Sequence, residues 1–291
     1  MIQLAVFLAG AGIAVAQETL RDAIAARVAA SPEATVAVSF TDLETGESFG
    51  INADTVFHAA STMKIPVMIE VLKRAQDGAF SLDQGILLVN QFASIVDGSP
   101  YPLDAAEDGD TALYARVGER VPVRDLLRRM ITRSSNLATN QLVALTGAEN
   151  VTAMARSLGA TRIQVLRGVE DQKAYDRGMN NTTTSADLAV LLAAIERGEV
   201  LSPESSAEMR EILLAQEFRN KIPAGLPPGT RVAHKTGEIT AVSHDAAIVY
   251  PQGRKPYLLV VLTRGIRDGK ASSALIADVS RIVWTHVTRQ P

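Results

Sequence analysis

No cysteine occurs anywhere in the 291-residue chain. That one absence removes disulfides, thiolate zinc sites and cysteine nucleophiles together. It leaves the compartment open, since an exported protein need not carry disulfides. Charge of one sign is also scarce: 29 Lys and Arg stand against 32 Asp and Glu, a net of −3. Basic clusters are as short as Arg128-Arg129, so the phosphate footprint of a nucleic-acid binder is missing. The histidines show no H-x-x-x-H or His/Asp grouping with ligand spacing, so no metal is expected. His234 and His244 read as ordinary hydrogen-bonded or exposed side chains. There is no internal repeat and no low-complexity linker. What is present is enough apolar sequence, 47%, for one large domain or two intimate ones.

The first residues carry their own message. Leu4 to Ala16 is an apolar run ending in Ala14-Val15-Ala16, before Gln17-Glu18. An apolar stretch closing on A-x-A is the pattern of a secretory signal peptide, and it is too short for a bilayer, which takes about 20 residues. Met1-Ile2-Gln3 lacks the positive charge such signals carry. The expectation is a signal over residues 1–16 and a mature chain that is periplasmic or secreted. No later run could span a membrane, so no stable membrane insertion is expected after signal removal.

Beyond it, Leu20, Ile24 and Val28 recur every four residues and predict an amphipathic helix. Thr35 to Thr41 reads as a strand, Asp42 to Gly46 as a turn, and Ser48 to Ile51 as the returning strand. Helical periodicity then dominates over Ile65–Arg74, Arg124–Ile131, Asn136–Leu145, Asn150–Leu158, Ala186–Ile195 and Glu204–Leu214. Strands resume at Arg231–Lys235, Ala246–Tyr250 and Tyr257–Leu262, and a last helix covers Ser272–Val287 with Leu275, Val279, Ile282 and Val283 as its apolar stripe. Strands at both ends can pair into one antiparallel sheet with the helical block inserted as a second lobe. The expected division is 17–60 with 216–291 as a discontinuous α/β lobe and 61–215 as the helical lobe. A groove between them is a natural place for a site.

Three short patterns carry chemistry. Ser61-Thr62-Met63-Lys64 is an S-x-x-K. Residues three apart on a helix share a face, so a helix beginning near Ser61 sets the Lys64 amine beside the hydroxyl. A serine needs a base before it is a useful nucleophile, and a lysine whose pKa is lowered can be one. Ser134-Ser135-Asn136 sets a hydroxyl and a carboxamide two residues apart between helices. His234-Lys235-Thr236-Gly237 closes an apolar strand with a cation, a hydroxyl and a glycine, which together can hold a carboxylate at close approach. Each pattern alone is weak. A lone S-x-x-K is more often a capping serine and a surface lysine, and Ser and Asn are common caps.

In this order, S-x-x-K, S-x-N and K-T-G resemble the serine β-lactamases and penicillin-binding proteins, most closely the class A β-lactamases. The flanks agree, from Ala60-Ser61-Thr62-Met63-Lys64-Ile65-Pro66 to Val121-Pro122-Val123-Arg124-Asp125-Leu126-Leu127 and Leu158-Gly159 to Arg162. The resemblance spans about Leu20 to Val287. It implies an α/β fold of the α+β type, an antiparallel sheet flanked by helices plus an inserted helical lobe. It implies Ser61 as nucleophile, Lys64 as its base and Ser134 as proton relay to the leaving nitrogen. Asn136 would bond the substrate's side-chain amide, and Lys235 and Thr236 its carboxylate beside Gly237. The backbone N–H groups of Ser61 and Glu238 would form the oxyanion hole. No cofactor is implied. The implied partner is a small β-lactam or peptidoglycan-like molecule, taken by a monomer.

Two departures stand out. The middle residue of the family's S-D-N is aspartate, and here it is Ser135. The family also places a glutamate before the helix at Ala186, with an asparagine four residues on, to hold the deacylating water. Glu170 is the candidate glutamate, behind Arg167-Gly168-Val169, but Ala174 stands where the asparagine belongs. The bland reading of Glu170 is a solvated loop acid beside Asp171. The alternatives to a β-lactamase are therefore a D-alanyl peptidase or small-ester hydrolase on the same machinery, and a covalent penicillin binder that does not turn over. The rim from Tyr101 to Arg120 matches no pattern.

Overall fold

The computed structural model describes residues 20–289. The expected signal segment, 1–16, lies outside the described residues. Helix α1, residues 20–29, leads into β1 (Thr35–Asp42) and β2 (Ser48–Ile51). The helices α2 (Lys64–Gln76), α3 (Val123–Thr132), α4 (Asn136–Thr146), α5 (Ala148–Ser157), α6 (Ser185–Arg197) and α7 (Pro203–Leu214) follow. Strands β3 (Arg231–Ile239), β4 (Val242–Tyr250) and β5 (Tyr257–Arg264) and helix α8 (Gly269–Arg289) complete the described chain.

The five strands form one sheet in the order β2-β1-β5-β4-β3, every pair antiparallel. Side chains alternate across a strand, and the sheet shows it. From β1, Val36, Val38 and Phe40 join a core with α1 and the α8 stripe of Leu275, Ile276, Val279 and Val283, while Ala37 faces the opposite way. That second face joins the larger core made with the helical block. Helix α6 lies across it against β1, β4 and β5, capped by Thr184, whose hydroxyl accepts from Asp187 N, and closed by Gly198 in the left-handed conformation.

Periodicity located these elements to within about four residues; β4 begins four residues before the expected Ala246, and the end of β3 is the informative difference. Strand β3 runs four residues past the expected end at Lys235. It is buried from Val232 to Gly237, so His234, Lys235 and Thr236 are polar residues inside a strand rather than marks of its end. Short ladders pair Phe57–His58 with Thr182–Thr183, Gly85–Leu87 with Arg120–Pro122, and Phe92–Ala93 with Pro100–Tyr101. They are too short to carry a period.

Candidate active site

Ser61 lies in a 3-10 turn, Ala60–Met63, that feeds α2. Ala60 takes φ +45°, an unusual value for a residue with a Cβ, and its N–H donates to His58 Nδ1 at 3.0 Å. Pro66 falls in the first turn of α2, where its missing N–H costs nothing. The next strand over explains the glycine of K-T-G. A Cβ on Gly237 would lie 3.2 Å from the Ser61 backbone nitrogen and 3.2 Å from the Ala60 Cβ, so glycine relieves crowding where β3 approaches the nucleophile turn.

Lys64 is fully buried. Its three donors go to Ser134 O at 2.7 Å, Ser134 Oγ at 3.2 Å and Asn136 Oδ1 at 2.8 Å. S-x-x-K and S-x-N are therefore one network. Burial lowers the Lys64 amine to about 7, against the opposing pull of Asp108 and Glu170. Lys235, also fully buried, donates to Ser134 Oγ at 3.0 Å and to Thr236 O at 2.8 Å. Its pKa is well below the usual lysine value, first through burial and then through Lys64 and Lys221. The Ser134 hydroxyl thus bridges two buried amines.

Glu170 is brought to the same network. Its Oε1 accepts from Asn136 Nδ2 at 2.6 Å, so the Asn136 carboxamide connects Lys64 on one side with Glu170 on the other. Loss of solvent around the carboxyl raises its pKa, outweighing the Asn136 bond and the Asp104 N–H that lower it. The neighbouring acid, Asp171, is occupied elsewhere: it accepts from Ser94 Oγ and Ile95 N, both at 2.9 Å, and caps the helical turn Gln172–Asp176. Ala174 is the fully buried residue of that turn. Asn136 is thus the residue bonded to Glu170 where the family's pattern has an asparagine on the loop.

The loop is pinned by residues that sequence reasoning passed over. Asn140 Oδ1 accepts from Val169 N at 2.6 Å, and its amide donates to Val169 O at 3.1 Å. Asn181 is buried; it accepts from Leu166 N and Arg167 N and donates to Arg167 O and Met63 Sδ. Arg167 spans the loop ends through Met179 O at 3.0 Å and Asn180 Oδ1 at 3.1 Å. Lys221, also unnoticed, is buried behind β3 with Nζ 3.1 Å from Gly237 O and 3.3 Å from a Glu238 carboxylate oxygen. Asp108, likewise buried, is another. None of these sits within a motif; each acts across a long sequence separation.

Ala60, Ser134 and Glu170 are three of the five non-glycine residues with positive φ among the described residues. Strain of this kind persists only where the surroundings enforce it, and it gathers at working sites. Adjoining cavities of about 330 and 230 Å³ share Ser61, Asn136 and Glu238. A larger hollow of about 820 Å³ lies beside Arg254 and Trp284 and includes none of these groups. His234 is buried and bonded to Asp245 at 2.9 Å, and His244 to Ser243 O and His58 O.

A fold of antiparallel sheet and helical block, with a serine, two buried lysines and a loop carboxylate around one groove, defines a penicillin-recognising serine hydrolase. A model of the beta-lactamase enzyme family matches residues 19–287, and the chain belongs to that family. Beta-lactamase AST-1 of Nocardia asteroides is 32% identical over 86% of this chain and 78% of its own. Among solved structures, PBP-A superposes with a TM-score of 0.80 at 27% identity, covering 93% of this chain and 96% of its own. The class A beta-lactamase of the last common ancestor of Gram-negative bacteria gives 0.79 at 30% identity, covering 92% and 99%.

Proposed function

We propose that the protein is a class A serine β-lactamase that opens the lactam ring through an acyl-enzyme on Ser61 and then hydrolyses that ester. The observation that carries this reading is the single hydrogen-bonded network from Lys235 through Ser134, Lys64 and Asn136 to Glu170. Ser61 Oγ attacks the lactam carbonyl and its proton passes to the neutral Lys64 amine. Ser134 Oγ, between Lys64 and Lys235, delivers a proton to the ring nitrogen as the C–N bond breaks. Lys235 and Thr236 attract the substrate carboxylate, and the Ser61 and Glu238 N–H groups face the developing oxyanion. Glu170 then takes a proton from water as it attacks the ester, and Ser61 Oγ departs with a proton returned to it. On this reading the groove lies between a discontinuous α/β lobe and the helical lobe. The mature protein is periplasmic or secreted, a monomer that leaves its signal behind. Among the described residues no helix is long and apolar enough to cross a membrane.

Mass spectrometry after mixing with a penicillin tests the reading. An adduct on Ser61 that forms and decays with release of opened penicillin is expected. A permanent adduct would make the protein a covalent binder, and turnover of D-alanyl peptides without lactam opening would make it a peptidase.

A further inference from the structure

The first N–H groups of a helix have no partner inside it. At α4 the N-cap is Ser135, whose hydroxyl accepts from Ala138 N at 3.2 Å. That leaves the N–H groups of Asn136 and Leu137. Both donate to one oxygen, Asp108 Oδ2, at 2.8 and 2.9 Å. Tyr114 Oη donates to the same oxygen at 2.9 Å. Asp108 is buried and comes from the 101–120 rim that matched no pattern.

Its placement is enforced. A Cβ on Gly109 would lie 2.1 Å from Arg133 O, so the chain passes against the end of α3 only because that residue is glycine. Asp110 then anchors the segment, accepting from Arg129 at 2.7 Å and Arg133 at 3.2 Å, while Asp108 Oδ1 accepts from Asp110 N at 2.9 Å.

We infer that Asp108 supplies from a remote loop the carboxylate that Ser135 leaves absent from the S-x-N motif, positioning Asn136 and setting the charge felt by Lys64. Asn136 holds Lys64 with its oxygen and Glu170 with its amide, so a shift at its backbone reaches both proton carriers. Asp108 is a positioning residue; it touches neither substrate nor the reacting atoms. Its charge also acts directly. The groups facing Lys64 are Glu170 from the loop, Lys235 from β3, and Asp108 from the rim. Asp108 exerts the larger of the two attractions that oppose the lowering of the Lys64 pKa, and it pushes Glu170 upward. Tyr114, next to Asp108, is held neutral, its hydroxyl pKa raised first by burial and then by that carboxylate.

The inference rests on Lys64 and Glu170 acting as proposed above, and acylation and deacylation rates across pH keep the two apart. Asp108→Asn keeps an acceptor for the helix but removes the charge. Its Lys64 amine titrates lower, so the acid limb of acylation moves to lower pH while the rate on the plateau is largely kept. Asp108→Ala loses both functions, and acylation and deacylation each fall roughly 10- to 100-fold, the scale of a lost charge-assisted bond. Adding Ser135→Asp to Asp108→Ala restores a carboxylate at the helix start and recovers most of the loss. Thermal melts and circular dichroism report the folded fraction of each variant. An unmoved acid limb in Asp108→Asn, with Asp108→Ala losses no larger than its unfolded fraction, overturns the inference. A wild-type profile flat through pH 7 overturns instead the base role of Lys64, and with it the electrostatic half of this assignment.

Discussion

On the flank of the groove where Ser61, Lys64, Ser134 and Lys235 meet, helix starts and the edge strand β3 carry the side chains, and both lysines are fully buried. On the opposite flank Glu170 stands on a loop, open to the groove, with a single side-chain bond to Asn136. The first flank is held by packing, the second by side-chain to backbone bonds from Asn140, Asn181 and Asp171. The contrast divides the two chemical steps: forming the ester draws on groups locked in the core, and breaking it draws on a carboxylate that loop bonds keep in position. Damage to the loop should therefore separate the steps, and damage to the core flank should not.

The largest effect is expected at the nucleophile. Ser61→Ala removes acylation altogether while leaving the fold intact; a covalent penicillin adduct on that variant, read by mass spectrometry, would break the assignment of the core flank. Glu170→Gln comes next. Deacylation falls about 10²–10⁴-fold, the usual worth of general-base help, while acylation partly survives through Lys64, so that stopped-flow traces with a chromogenic cephalosporin show an accumulating acyl-enzyme. An unchanged deacylation rate would put the water site elsewhere. Lys235→Ala removes a charge-assisted bond of about 1.5–3 kcal/mol to the substrate carboxylate, and the loss should be much smaller for a neutral ester; equal losses in kcat/KM would show that no such contact exists.

Protonation of Lys64 sharpens the contrast further. The amine accepts a proton only when neutral, and its pKa is lowered to about 7. Acylation should therefore fall as pH drops through 7 and level off above it, as pre-steady-state rates between pH 5 and 9 would reveal. The smallest effect is expected at Asn181→Ala. It leaves loop N–H groups unpaired at about 1–3 kcal/mol, lowering the melting temperature by about 2–4 °C for each kcal/mol lost, and it slows deacylation more than acylation. A proportionate loss in both steps would erase the division between flanks.

Much of the core flank was legible beforehand. Ser61 and Lys64 lie within one short stretch, Ser134 and Asn136 within another, and Lys235 and Gly237 within a third. Chemistry that needs neighbours in sequence leaves a mark in sequence. Glu170 was legible only through its upstream context, and the reason it reaches Asn136 was not. Asp108, Asn140 and Lys221 went unread because their partners are distant in sequence and none forms a pattern by itself. Ser135 was the available signal. A motif lacking its acid implies either that the acid is dispensable or that another segment supplies one, and only the fold presents Asp108 as a candidate.

The sheet order has a further consequence for how the molecule comes into being. Strand β1 is flanked by β2, its immediate successor, and by β5, near the end of the chain, with Thr35 opposite Arg264. During synthesis the nucleophile turn and the whole helical block emerge while one edge of β1 still has no partner. Contacts this far apart in sequence are slow to form, because loop closure must precede them. Folding is thus deferred until the last strands are made, and the Lys235 that completes the groove arrives on one of them. A chain lacking these last strands would display Ser61 and Lys64 without a working site around them, so activity itself reports that β1 and β5 have paired.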